Sequence, residues 1–203
     1  MDIKLLRPSP KIIHLKFKRK MDLTKTMLRF QEYFESPKFR NKYFSLEEFK
    51  AWYITTTVNN TFSYYSDWSG FNFPSKTLKS FYAGKFDPLT QEEKHILDLL
   101  RQERGRFYVI ATFKSEDVRH ETAHAKFYVD ARYRNEVKKV ISSIDTKPIF
   151  KVLKEMGYDK AVWVDESHAY LLEAEEYFEK EFKLKAEDYK DARRELAEIY
   201  KRY

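Results

Sequence analysis

The sequence predicts an α+β fold that is mostly helical, on three observations. Apolar residues recur at three- and four-residue spacing through most of the 203 positions, which is the period of amphipathic helices. Two short runs, Ile12–Lys18 and Arg106–Lys114, have the alternation or the β-branched and aromatic content of strands. Hydrophobic residues make up 42% and charged ones 35%, with four Gly and six Pro, so the chain can fill a core and is neither disordered nor collagen-like. The length suits one mid-sized domain or two smaller parts. A soft boundary near Arg104–Arg106 divides a mainly helical N-terminal part, residues 1–105, from a C-terminal part, residues 106–203.

In chain order, Ile13, Leu15 and Phe17 alternate with His14, Lys16 and Lys18, which makes the first strand half-buried. Helices follow over Leu23–Phe34 and Leu46–Trp52, parted by the breaker Ser36-Pro37; Ser45 with Glu48 forms a capping box at the second start. Residues 61–74 place six aromatics among turn formers, a pattern no regular helix accommodates, and are expected as an aromatic loop. Ser75–Tyr82 and Thr90–Glu103 are the next helices, the latter opened by a second capping box, Thr90 with Glu93. Phe107–Phe113 is the strongest strand signal in the chain. Beyond a polar link at Ser115–Asp117, with Asp117 as a candidate N-cap, helices cover Val118–Val129, Ala131–Ile144 and Pro148–Met156, the last stopped by Gly157. A short strand Ala161–Val164 and two charged helices, Glu166–Phe182 and Ala186–Tyr200, complete the pattern.

Cysteine is absent, which excludes disulfides, thiolate nucleophiles and sulfur-ligated metal, so any metal must be held by His, Asp or Glu. No apolar run reaches signal-peptide or membrane-span length, and the expectation is a cytoplasmic protein with no membrane partner. The net charge of +7 is uneven: residues 1–60 hold 13 Lys and Arg against 6 Asp and Glu, whereas residues 61–203 hold 26 of each. A basic segment of this kind reads first as a solvated face, here with its charges spaced among apolar core residues, and second as a grip on nucleic acid or an acidic partner.

One motif carries chemistry. His120-Glu121-Thr122-Ala123-His124 is an HExxH sequence. On a helix, residues four apart lie about 40° from each other around the axis, so both imidazoles leave one face and can bind one metal ion. Glu121 sits beside that face, where a carboxylate can take a proton from metal-bound water. His14 and His95 have no such spacing and read as surface or core residues.

With the strand before it, this segment resembles the zincin-type metallopeptidases. Val164-Asp165-Glu166-Ser167-His168-Ala169-Tyr170-Leu171 opens a later helix with acidic residues, and this looks like the second motif of the thermolysin-like gluzincins. The resemblance covers His120–Ala125 and Asp165–Leu171 and implies a zincin-like catalytic part with a small sheet and an active-site helix, a Zn²⁺ cofactor, and Glu166 as third metal ligand. The position four after Glu166 is Tyr170 rather than Asp, so the partner expected behind a ligand His shifts to Asp165. Asp130, six residues after His124, is a competing third ligand, but Phe127 stands where a metzincin-like turn needs glycine. Glu173 is the other alternative, against its reading, with Glu175 and Glu176, as a solvated acidic face. Tyr170 and His168 are candidates for steadying an oxyanion.

Two functions compete. In the first, a zinc-dependent peptidase acts on a peptide or protein substrate with Glu121 as general base, and the Phe107–Phe113 strand holds the extended substrate. In the second, a nucleic-acid or protein binding module uses the basic N-terminal part and the Phe62–Phe73 aromatics, with a structural or latent metal site. A structural zinc is closed by four protein ligands, whereas a hydrolytic one keeps a position open to water.

Overall fold

The computed structural model describes residues 1–114 and 117–203. Helix accounts for 59% of the chain, beside a small four-stranded mixed sheet, which makes the class α+β and mostly helical. The chain forms two compact units, Met1–Asp117 and Val118–Tyr203, each with its own hydrophobic core. The division falls after Asp117 and not near Arg104–Arg106, because the second expected strand is hydrogen-bonded into the first unit's sheet.

In the first unit, β1 (Ile3–Ser9) and β2 (Ile12–Phe17) make an antiparallel hairpin with Ile3 opposite Phe17 and Leu5 opposite Leu15. The register slips between Leu6 and Ser9, where Pro8 has no N–H for the ladder. Helices α1 (Lys20–Glu35) and α2 (Leu46–Thr56) come next. One helical turn, α3 (Tyr64–Asp67), then leads into β3 (Gly70–Pro74), followed by α4 (Lys76–Tyr82), α5 (Gln91–Leu100) and β4 (Tyr108–Thr112). The strand order is β1-β2-β4-β3; β4 runs parallel to β2 and antiparallel to β3. Both edges of β4 are therefore filled, and the expectation that this strand holds an extended peptide by backbone hydrogen bonds is overturned.

The aromatic stretch is not a loop. Tyr64, Phe71 and Phe73 are buried in the core with Leu15, Phe17, Met27 and Phe30, and β3 exists because its backbone pairs with β4. Aromatic stacking continues from Phe30 to Phe81 (centroids 4.1 Å apart) and from Phe81 to Phe86 (4.0 Å). Within this core, Arg29 is buried and donates to both oxygens of Glu93 and to the backbone carbonyl of Phe86 at 2.9 Å. Glu93 also closes the capping box with Thr90, so one carboxylate caps the start of α5 and neutralises a buried guanidinium. His14 is buried on β2 with its Nε2 2.9 Å from the Thr112 hydroxyl, and His95 is exposed.

Among the described residues the second unit's regular elements are all helical: α6 (Asp117–Val129), α7 (Ala131–Ser142), α8 (Lys147–Glu155), α9 (Trp163–Leu171), α10 (Glu175–Phe182), a 3₁₀ turn at Ala186–Tyr189 and α11 (Lys190–Arg202). The polar link expected at 115–117 falls on Ser115 and Glu116, which lie outside the described residues, as does the Asp117 side chain. The strand expected at Ala161–Val164 is instead a 3₁₀ turn, Lys160–Val162, running straight into α9; four apolar residues without a pairing strand satisfy their backbone more readily as helix. The small sheet thus lies wholly in the first unit, and its strand β4 is the element that precedes the HExxH helix along the chain. The long helix expected over Glu166–Phe182 breaks at Leu172–Ala174 into α9 and α10. Tyr133, Val137, Ile149, Leu153, Phe178 and Leu196 are among the residues at the unit's centre.

Candidate metal centre

Two helices build the site. On α6, His120 and His124 are one turn apart and their Nε2 atoms face each other at 3.1 Å. From α9, Glu166 brings its Oε2 to 4.0 Å from His120 Nε2 and 3.7 Å from His124 Nε2. His124 and Glu166 are buried, with side chains 2% and 4% exposed, while His120 is 16% exposed. The three inward atoms lie within 4.8 Å of one another. Ligand atoms on a tetrahedral zinc, with bonds near 2.0–2.2 Å, stand about 3.3–3.5 Å apart, so the triangle is close to what the ion requires.

The outer ring nitrogens are occupied. His120 Nδ1 is 3.2 Å from Glu173 Oε1, and His124 Nδ1 is 3.0 Å from Asp165 Oδ1. With a metal bound, a proton on each Nδ1 would face these carboxylates and leave each Nε2 lone pair for the ion; in the bare protein the two Nε2 atoms share a hydrogen bond instead. Glu166 Oε2 is buried and has no hydrogen-bond partner. A buried carboxylate oxygen with no hydrogen-bond partner, facing two imidazole nitrogens, is costly to leave unpaired and suits a divalent cation. The donor set, two nitrogens and one oxygen, fits zinc without being exclusive to it.

Electrostatics follow from the crowding. Burial raises the Glu166 carboxyl to about 7; His124 and His120 pull it down, and Asp165 and Glu121 push it up. Burial would lower the His124 imidazole, but Asp165 and Glu166, with Glu121 behind them, outweigh it and hold His124 well above its ordinary value. Glu121 is itself buried, at 6% exposure, and its charge is felt by both neighbours.

The remaining sequence candidates separate cleanly. Asp130 is the N-cap of α7, its Oδ1 accepting from the N–H groups of Arg132 (2.8 Å) and Tyr133 (3.1 Å), and it is not among the converging ligand atoms. Glu173 is not part of a solvated face: the break after α9 turns it back onto His120, whereas Glu175 and Glu176 are exposed at the start of α10. Tyr170 packs its ring against His120 (centroids 4.9 Å, 76°), and its hydroxyl lies 3.1 Å from that of Tyr158. Tyr158 carries no sequence signal that would have marked it. His168 is fully buried, stacked on Phe127 at 5.2 Å, with Nδ1 2.5 Å from the Asp165 carbonyl oxygen. Burial lowers its pKa to about 4, so it is a neutral packing residue that supports Asp165. The chain matches no protein-family model, and no curated protein and no solved structure matches it.

Proposed function

We propose that the protein is a zinc-dependent peptidase, gluzincin-like in its ligand set, with His120, His124 and Glu166 as metal ligands and Glu121 as general base. The observation that supports this most is the convergence of His120 Nε2, His124 Nε2 and the partnerless Glu166 Oε2, each imidazole braced from behind by a carboxylate. Among the described residues the group numbers three, not the four protein ligands of a structural zinc.

His120, His124 and Glu166 would hold the metal, which would supply Lewis-acid polarisation of a carbonyl and a more acidic water. Glu121 then takes the water proton on its carboxylate and delivers it to the leaving amine. Asp165 and Glu173, with carboxylate oxygens 3.0 and 3.2 Å from the outer Nδ1 atoms, would orient the two imidazoles. Tyr170, an oxyanion candidate by sequence, acts mainly through its ring, which holds the plane of His120 while Tyr158 engages its hydroxyl. A peptide or protein substrate and a cytoplasmic location belong to the same proposal.

The test is zinc content together with hydrolysis of a fluorogenic peptide library by the full chain. The expected result is about one zinc per chain, with Glu121→Gln keeping fold and zinc while losing activity by more than about tenfold. Stoichiometric zinc in a His120→Ala/His124→Ala variant, or undiminished hydrolysis by Glu121→Gln, would overturn it.

A further inference from the structure

The chain's excess of positive charge is confined to the first unit: residues 1–117 hold 21 Lys and Arg against 14 Asp and Glu, and residues 118–203 hold 18 of each. The Phe62–Phe73 rings do not use that charge to grip a ligand, since most of them fill the core. A different place does. Between the end of α4 and the turn from α5 to β4 lies a groove of about 400 Å³, within the size range of small-molecule sites. Leu78, Leu100 and Phe107 are buried in its floor, and Lys79, Tyr82, Arg101 and Arg104 are exposed around it.

The charges there are unequal. Glu103 is taken by Arg7 and Arg101 by Asp98. Among the described residues no carboxylate pairs with Lys79 or Arg104; the Arg104 guanidinium donates only to the backbone carbonyls of Arg101 and Glu103. Two cations without counter-ions therefore stand beside Tyr82, a residue 43% exposed whose ring carries the Arg101 guanidinium at 5.8 Å from its centroid. A purely acidic peptide such as polyglutamate would use the cations and leave the ring and the apolar floor idle. A nucleotide uses all three, with phosphate on Lys79 and Arg104 and the base on the tyrosine–arginine pair over the floor.

We propose that this groove binds a nucleotide unit of single-stranded nucleic acid, a role independent of the metal centre. The probe is a fluorescein-labelled oligo-dT of about twelve nucleotides, a length within the usual site range of single-strand binders, titrated with the full chain by anisotropy at low and high salt. Lys79→Glu/Arg104→Glu should weaken binding at least about tenfold and flatten its salt dependence. Tyr82→Ala should weaken it about 5- to 100-fold, while Tyr82→Phe, which keeps the stacking face, should bind as the parent does. Lys25→Glu/Lys42→Glu, an equal charge reversal on exposed residues outside the groove, should cost much less; circular dichroism confirms that each variant is folded. Equal losses from the two charge-reversal pairs, equal affinity for duplex of the same length, full competition by polyglutamate, or a mononucleotide binding as tightly as the strand would each overturn the proposal.

Discussion

Asp130 and Glu173 are carboxylates of comparable reach, and their neighbours give them different work. Asp130 is spent on two backbone N–H groups, so Asp130→Ala should cost about 1 kcal/mol in a thermal or urea melt and leave zinc affinity unchanged. Glu173 and Asp165 stand behind the ligand rings, so alanine at either position should weaken zinc about 10- to 100-fold in a chelator competition. Alanine at His120, His124 or Glu166 should remove most of the metal. Parity between Asp130→Ala and Glu166→Ala would refute this ranking. His120, Glu121 and His124 are legible in the sequence because helical period alone puts them together. Glu173 is not, because its position depends on a helix break after Leu171 that no glycine or proline announces.

At the level of elements, local signals were readable and pairing was not. Both capping boxes close as their spacing requires, on Ser45 with Glu48 and on Thr90 with Glu93. β1 and β3 carry no strand signal of their own, because Ile3–Ser9 lacks alternation and Gly70–Pro74 lies among aromatics; each becomes a strand only through its neighbour. Glu93 joins α5 to α1 through Arg29, so Glu93→Ala, which strands a buried guanidinium, should destabilise by about 3–5 kcal/mol. Arg29→Met/Glu93→Leu, which removes both charges, should recover most of that loss. A second joint links α1 to α3, where the Tyr64 hydroxyl donates to Glu32 at 2.7 Å. Burial raises the Glu32 carboxyl to about 7, against the hydrogen bonds from Tyr64 and Ser36 that lower it. The folded state therefore holds this proton more tightly than the unfolded chain, and the contribution is full below about pH 4.5 and fades as pH rises through 7. Urea melts of the parent and Glu32→Gln should diverge over that window by on the order of 1–3 kcal/mol, with the variant the flatter of the two.

Over the whole molecule, the two units differ in charge and in chemistry: the basic one carries the sheet and the neutral one the His120–His124–Glu166 group that could hold a metal. Zinc should raise the melting transition of the parent, with about 4 kcal/mol of stabilisation when free metal exceeds its dissociation constant a thousandfold. The His120→Ala/His124→Ala variant should show no such shift in a calorimetric scan. The ligands also lie far apart along the chain: His120 and Glu166 sit on helices separated by α7 and α8. An ion held between them is a removable cross-link closing a loop of about 45 residues, like a disulfide that a chelator can cut. Opening that loop requires the ion to leave first, so in moderate urea the rate of unfolding should follow chelator concentration, and the metal should govern how long the fold lasts as well as how stable it is.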